Sequence, residues 1–140
     1  MATKPTPTPD EISPETKDLL KKILSKIKKD YTENTVSPQT LFEFLFHLQN
    51  LKNSEIKSEI IYESLTNDHI YLFRTLLTQQ KNLIPLILNI FQLNIEICPK
   101  FTNFLLNCMI PIVICKILED PKNEFQERYE CIKLIYMVKI

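Results

Sequence analysis

The 140-residue chain contains no glycine, whereas a globular chain of this length carries roughly ten. Glycine is the residue that lets backbone approach a phosphate closely or enter a left-handed turn without steric cost. Its absence excludes several devices that enzymes depend on, namely the P-loop, the dinucleotide-binding turn and the glycine-flanked nucleophile elbow. The composition therefore favours a protein that packs helices over one that performs nucleotide chemistry.

The length and the charge of the chain limit its number of domains and its classes of partner. The length predicts one domain with a modest core. The 17 basic and 17 acidic residues give a formal charge of zero, so no net field attracts nucleic acid or an anionic membrane. Six lysines cluster in the first helical segment, at Lys17, Lys21, Lys22, Lys26, Lys28 and Lys29. We interpret them as the solvated face of a helix rather than as a phosphate-binding patch.

Four cysteines lie in apolar stretches of the C-terminal half: Cys98, Cys108, Cys115 and Cys131. They form no C-x-x-C pair, and both histidines, His47 and His69, are distant along the chain, so we predict no metal site. Buried reduced thiols are typical of cytosolic proteins, and the N-terminus shows no secretory signal pattern. We therefore expect a cytoplasmic protein without a cofactor.

The chain divides into a short tail and a helical domain. Residues 1–12, in which Pro5, Pro7 and Pro9 alternate with threonine, predict a disordered tail. From residue 13 onward, apolar residues recur at intervals of three and four, and Ser-Pro pairs at 13–14 and 37–38 are typical of helix starts. We predict one domain over residues 13–140, with helices at 14–30, 38–52, 55–66, 69–80, 83–93, 100–108, 110–119 and from 124 onward.

Asparagine takes over part of the role of glycine in this chain. It is the residue best able to adopt positive φ at a helix end when glycine is absent. Four asparagines fall where predicted helices stop or restart, which supports these boundaries: Asn34, Asn53, Asn67 and Asn123.

Residues 83–93 are apolar on nearly every face, with Asn89 and Gln92 as the polar interruptions. Such a helix must be covered on both sides. The apolar run from Phe104 to Cys115 is interrupted by Asn107 and is shorter than the roughly 20 residues that cross a bilayer. We predict buried helices and no transmembrane segment.

Residues 101–138 follow the order short helix, tight turn, Ile-Pro helix, polar turn and Glu/Arg-containing helix, which resembles an armadillo repeat boundary. The residues that match the third helix of a repeat are Ile110, Pro111, Ile112, Val113, Ile117 and Leu118. Those that match the start of the next repeat are Gln126, Glu127, Cys131, Ile132, Leu134 and Ile135. In one departure, Cys108-Met109 stands where that family commonly has glycine. The resemblance implies an all-α fold, a right-handed armadillo or HEAT-like solenoid segment. The apolar pattern is still running at Ile140, so we expect either a helical array that continues beyond residue 140 or a small independent bundle.

Within armadillo-like proteins, the segment ILEDPKNEFQERYECIKLIYMV at 117–138 is similar to the N-terminal region of the Rictor, or pianissimo, family. That resemblance implies a subunit of TOR complex 2, a cytosolic kinase assembly that acts in growth and cytoskeletal signalling. The region would support the kinase and catalyse nothing itself.

Three functional hypotheses remain open on the sequence. The first is a non-enzymatic helical scaffold for protein–protein interaction, with partner-binding residues that the sequence does not identify. The second is a small helical-bundle enzyme, although His47 and His69 lie in apolar stripes, where a packed histidine is commoner than a catalytic base. The third is a membrane-associated helical domain that uses residues 83–118. We predict the scaffold, without catalytic, cofactor-binding or metal-binding residues.

Overall fold

Seven α-helices make up most of the chain that the structure describes. The computed structural model describes residues 9–52 and 64–138, with side chains from residue 18 onward. A short 3-10 turn, Lys81–Leu83, leads from the third helix into the fourth. In chain order the helices are α1 (Pro9–Thr32), α2 (Pro38–Lys52), α3 (Asn67–Gln79), α4 (Ile84–Ile97), α5 (Phe101–Asn107), α6 (Ile110–Glu119) and α7 (Phe125–Val138).

The predicted all-α class is confirmed, since no residue in the two described ranges belongs to a strand. The finer prediction, an armadillo or HEAT-like solenoid, concerns how successive helices stack into repeats. It stays a prediction.

Helix α4 lies at the centre of the core. Ten of its 14 residues are buried, as the apolar pattern predicts. It packs most extensively against α2 and α7, and it also contacts α3 and α5. Helices from both halves of the chain therefore cover α4, which removes nearly all of its apolar surface from water.

A ladder of aromatic rings connects four helices through the core. The ring centroids of Phe44 and Phe73 are 6.3 Å apart, those of Phe73 and Phe91 are 5.9 Å apart, and those of Phe91 and Phe101 are 6.1 Å apart. All four side chains are fully buried. Because buried aromatic pairs add roughly 0.5–1.5 kcal/mol beyond their area, the ladder helps to hold α2, α3, α4 and α5 together.

Helix α1 is amphipathic as predicted. Its buried side chains are Leu20, Ile23, Leu24 and Ile27. Its exposed lysines are Lys21, Lys22, Lys26, Lys28 and Lys29. These lysines thus lie on the solvent-exposed face of α1, while Lys17 lies outside the described side chains.

The start of α1 differs from the prediction. The helix begins at Pro9 rather than at residue 14, so residues 9–12 of the predicted tail are helical. Proline is tolerated in the first turn because its missing N–H would have no partner there. Residues 1–8 of the predicted tail lie outside the described residues.

Most other helix boundaries agree with the sequence pattern. Helices α2 and α6 have the predicted bounds, 38–52 and 110–119. Helix α4 continues to Ile97, four residues beyond the predicted end. Asn94 does not interrupt it, because its Nδ2 donates to the carbonyl oxygen of Ile90 at 2.9 Å. Residues 53–63, and with them Asn53 and most of the predicted helix at 55–66, lie outside the described residues.

Two residues of the described chain have positive φ, Asn34 at 58° and Met109 at 59°. Asn34 thus takes the left-handed conformation at the end of α1, whereas Asn67 and Asn123 do not. Asn67 is instead the first residue of α3. The side chain of Asn123 donates to the carbonyl oxygen of Ile117 at 2.8 Å, which satisfies the end of α6 without a left-handed residue.

Candidate protein-interaction surface

Helix α7 carries apolar side chains on two opposite faces. The inner face includes Cys131 and Leu134, which are buried against the core. The outer face carries Phe125, Tyr129, Ile132 and Tyr136, whose side chains are 79%, 50%, 47% and 79% exposed. Because an α-helix advances 100° per residue, these four residues line one narrow strip opposite the buried face. We call them the outer stripe.

The aromatic rings at the start of the outer stripe already contact each other. The centroids of Phe125 and Tyr129 are 6.1 Å apart and their planes are inclined by 23°. Stacking in the unbound chain restricts both side chains, so less rotamer entropy remains to be lost when a partner covers them.

Polar contacts fix the start of α7. The carboxylate of Glu127 accepts a hydrogen bond from the backbone N–H of Glu124 at 2.5 Å, which is half of a capping box. The guanidinium of Arg128 donates to the carbonyl oxygen of Asp120 at 2.9 Å. These bonds tie the turn after α6 to the first turns of α7, so the backbone that carries Phe125 is held in place.

The inner face of α7 is also attached by polar groups. Glu130 is buried, and its carboxylate accepts hydrogen bonds from Gln92 of α4 and from Gln126 one turn earlier in α7. A buried carboxylate is costly unless donors satisfy it. This pairing therefore specifies which side of α7 faces the core, and it directs the outer stripe to solvent.

Two smaller apolar groups are also exposed among the described residues. Phe42 and Phe46 lie one turn apart on α2, and the second ring meets His47 edge-on. Leu106, Met109 and Ile112 lie around the turn between α5 and α6. Single exposed apolar residues are normal on protein surfaces, but the four-residue run on α7 is the longest of these groups.

His69 has a structural role at the start of α3. Its Nδ1 accepts a hydrogen bond from the backbone N–H of Thr66 at 3.0 Å. Burial lowers the pKa of His69, as does the charge of Lys28, while Asp68 acts in the opposite direction. The neutral ring with an unprotonated Nδ1 is thus the form that completes the helix cap.

His47 is half-buried in α2, where its ring lies 5.5 Å from that of Phe46 in an edge-on arrangement. Both histidines therefore have the packed surroundings that their apolar stripes predict.

The cysteines are mostly buried, as predicted, with the exception of Cys115 on α6; the buried ones are Cys98, Cys108 and Cys131. Burial raises the pKa of the Cys131 thiol to about 12, and the carboxylates of Glu127 and Glu130 act in the same direction. Burial also raises the pKa of Cys108. Within the described ranges, no group of His, Cys, Asp and Glu side chains is placed to hold a metal ion.

An open pocket of about 310 Å³ lies between the end of α3, the 3-10 turn, α6 and the turn that precedes α7. Its ionisable lining residues are Lys81, Lys116 and Asp120. The hydroxyl of Thr78, which also lines it, donates to the carbonyl oxygen of Thr75 at 2.8 Å. No histidine, cysteine or glutamate is among the lining residues.

Taken singly, none of the helices in the described residues combines the length and the apolar composition needed to cross a bilayer. Of the described helices, α5 and α6 meet that test as a pair, and they are bent by 72° relative to each other.

No protein-family model matches the chain, and neither a curated protein nor a solved structure is significantly similar to it. The armadillo and Rictor resemblances therefore stay predictions. The most distinctive feature that the described residues offer to a partner is the outer stripe.

Most residues of the outer stripe are apolar positions of the last predicted helix, but the sequence does not mark them as a separate face. Phe125, Tyr129 and Ile132 lie in the helix predicted from 124 onward, and the core residue Leu134 lies in the same apolar run. The signal that separates them is the spacing of four, three and four residues, which ends at Tyr136. A helix with two such sets, on opposite sides, has one more apolar face than its own fold requires.

Proposed function

We propose that the chain is a non-enzymatic helical scaffold that binds proteins through the outer stripe of α7. A single observation carries the proposal: one helix has an apolar face buried in the core and a second, opposite apolar face exposed on four large side chains. One buried face is enough to fold a helix onto a domain. Contiguous exposed apolar surface marks an interaction site in soluble proteins.

The chemistry of the stripe suits protein recognition. Three of its four members are aromatic, and aromatic side chains are the common anchors of protein interfaces. Tyr129 and Tyr136 each present an apolar ring with a hydroxyl that can donate or accept at the rim of an interface. Because Glu130 and Arg128 hold α7 in position through the contacts described above, the stripe is preorganised for binding.

The more specific form of the proposal is that the partner belongs to a cytosolic kinase assembly, TOR complex 2. It is supported by the similarity of residues 117–138 to the N-terminal region of the Rictor family. The outer stripe lies wholly within that segment, so the residues that the fold leaves exposed on α7 belong to the stretch of chain that carries the resemblance.

The test compares Tyr129→Glu with a matched control, Phe46→Glu, in the tagged full-length chain expressed in its native cells. Both positions are exposed aromatics on a helix, but only Tyr129 lies in the stripe. A charge at the centre of an interface must be desolvated. We expect the proteins that purify with the wild type to fall at least about tenfold with Tyr129→Glu and to be unchanged with Phe46→Glu.

The outcomes separate the two forms of the proposal. Recovery of TOR kinase with the wild type and the control, but not with Tyr129→Glu, supports the specific form. If no TOR kinase is recovered, but other proteins purify with the wild type and not with Tyr129→Glu, the specific form is contradicted and the general one is supported. Equal recovery of every protein with wild type and Tyr129→Glu contradicts both.

A further inference from the structure

The outer stripe has the same spacing in both directions along α7. Phe125, Tyr129, Ile132 and Tyr136 follow one another at intervals of four, three and four residues. The two outer members are each 79% exposed, and the two inner members are 50% and 47% exposed. A half-turn about an axis perpendicular to the helix therefore places Phe125 on the position of Tyr136, and Tyr129 on that of Ile132.

We propose that a second copy of this chain covers the outer stripe, with the two α7 helices antiparallel across a twofold axis. This rests on the general form of the proposed function, and it names the chain itself, in place of TOR kinase, as the protein that the stripe binds. A twofold interface uses the same patch on both subunits and must be self-complementary. The symmetric spacing provides this, because Phe125 meets Tyr136 of the second copy and Tyr129 meets its Ile132.

The area of the stripe is consistent with a reversible dimer. Aromatic side chains expose about 150–250 Å² when free, so the four partly exposed members offer roughly 500 Å² per copy. Complete coverage of both stripes would bury about 1,000 Å², which is near the lower limit for a specific interface. We expect a concentration-dependent dimer rather than a permanent one.

Charge does not oppose this pairing. The chain has a formal charge of zero, so two copies carry no net repulsion. On α7 itself, Arg128 and Lys133 flank the stripe on opposite edges, given 100° per residue. In an antiparallel pair each edge faces the same edge of the other helix, so Lys133 faces Gln126 of the second copy rather than a cation.

Cysteine cross-linking tests the antiparallel geometry. In a Cys115→Ser background, which removes the exposed native thiol, Phe125→Cys and Tyr136→Cys are made as separate chains with different tags. Under a mild oxidant, the mixture should form the 125–136 disulfide between chains. Neither chain alone should cross-link, since two copies of position 125 are about 16 Å apart along the helix and a disulfide needs Cα atoms within about 7 Å. A 125–125 disulfide would show a parallel pair and overturn the proposal.

Oligomeric state tests the pairing itself. By light scattering, the wild-type chain and Phe46→Glu should form the same dimer, whereas Tyr129→Glu should raise its dissociation constant at least about tenfold. Unchanged circular dichroism shows that the exposed substitution leaves the fold intact. If the wild type is monomeric at about 100 µM and the 125–136 cross-link does not form, the proposal that a second copy covers the stripe is contradicted. In that case, the proposed function stands if another protein co-purifies with the wild type from cells but not with Tyr129→Glu. If the two chains recover the same proteins, both proposals are contradicted.

Discussion

The side-chain amide of Gln92 in α4 donates two hydrogen bonds to Glu130 in α7, one to its backbone carbonyl oxygen at 3.1 Å and one to its carboxylate Oε2 at 2.8 Å. Both side chains are buried. The other carboxylate oxygen accepts from Gln126 at 3.0 Å. Thirty-eight residues separate the two partners, so this pair is a long-range polar contact that positions the central helix against the last one.

Gln92→Leu removes the donor while keeping a side chain of similar volume. It should lower the free energy of unfolding by about 1–3 kcal/mol, because the buried carboxylate of Glu130 loses a partner. The double variant Gln92→Leu/Glu130→Leu should recover most of that loss, since neither polar group is then buried. Urea unfolding measures both. If the loss of unfolding free energy in the double variant equalled or exceeded the sum of the losses in the two single variants, the pairing would be contradicted.

Stability should depend on pH through His69. The unfolded ring binds a proton near the ordinary value of 6.5, whereas burial lowers the pKa of the folded ring. As pH falls below about 6.5 the unfolded state therefore binds more protons, and stability is lost. At higher pH the neutral ring caps α3 and the full contribution is present.

The matched variant is His69→Gln, since glutamine at this position also accepts from the N-cap backbone and does not titrate. Between pH 7.5 and 5 the wild type should lose up to about 1 kcal/mol more than the variant, the usual contribution of a helix cap. Unfolding curves at both pH values provide the measurement. Parallel pH profiles would show that His69 does not cap the helix in its neutral form.

Thiol reactivity should distinguish Cys115 from the buried cysteines. The thiol of Cys131 has its pKa raised to about 12, so it stays protonated and unreactive at neutral pH. The Sγ of Cys108 is buried and lies 3.7 Å from the carbonyl oxygen of Asn67. A maleimide should label one thiol per native chain and four after unfolding. Cys115→Ser should abolish labelling of the native chain. Rapid labelling of another cysteine in that variant would contradict the burial of the other three thiols.

Replacement of Met109 by glycine should stabilise the fold. Its φ of 59° and ψ of 34° are left-handed, a conformation that costs a residue with a side chain about 1–2 kcal/mol. Met109→Gly should therefore raise the free energy of unfolding by about 0.5–1 kcal/mol, with little packing lost because the side chain is half-exposed. Met109→Ala keeps the strain and serves as the control. An equal gain in both variants would show that the backbone is not the cause.

Local signals predict the helices better than they predict the surface. The Ser37-Pro38 and Ile110-Pro111 steps mark starts that the structure places at Pro38 and Ile110, because proline at the first turn depends only on neighbouring residues. The start of α1 at Pro9 does not follow from the sequence pattern, because the proline-threonine repeat favours an extended tail, although a single proline also fits a first helical turn.

The candidate surface could not be assigned from the sequence because it depends on distant contacts. The apolar residues of α7 are visible in the pattern, but which set faces the core is decided by Gln92 of a helix far earlier in the chain. Likewise, His69 lies in an apolar stripe, and only the backbone of Thr66 shows that the ring caps a helix. Tertiary packing selects among faces that local periodicity leaves equivalent.

A photoreactive amino acid at Tyr129 in the full-length chain, activated in the native cells, can show whether the outer stripe is covered by protein. The matched control is the same residue at Lys22, on the exposed face of α1. We expect covalent protein adducts, with a second copy or with another protein, from Tyr129 and far fewer from Lys22. Equal or absent cross-linking at the two positions would show that the stripe is not an interaction surface.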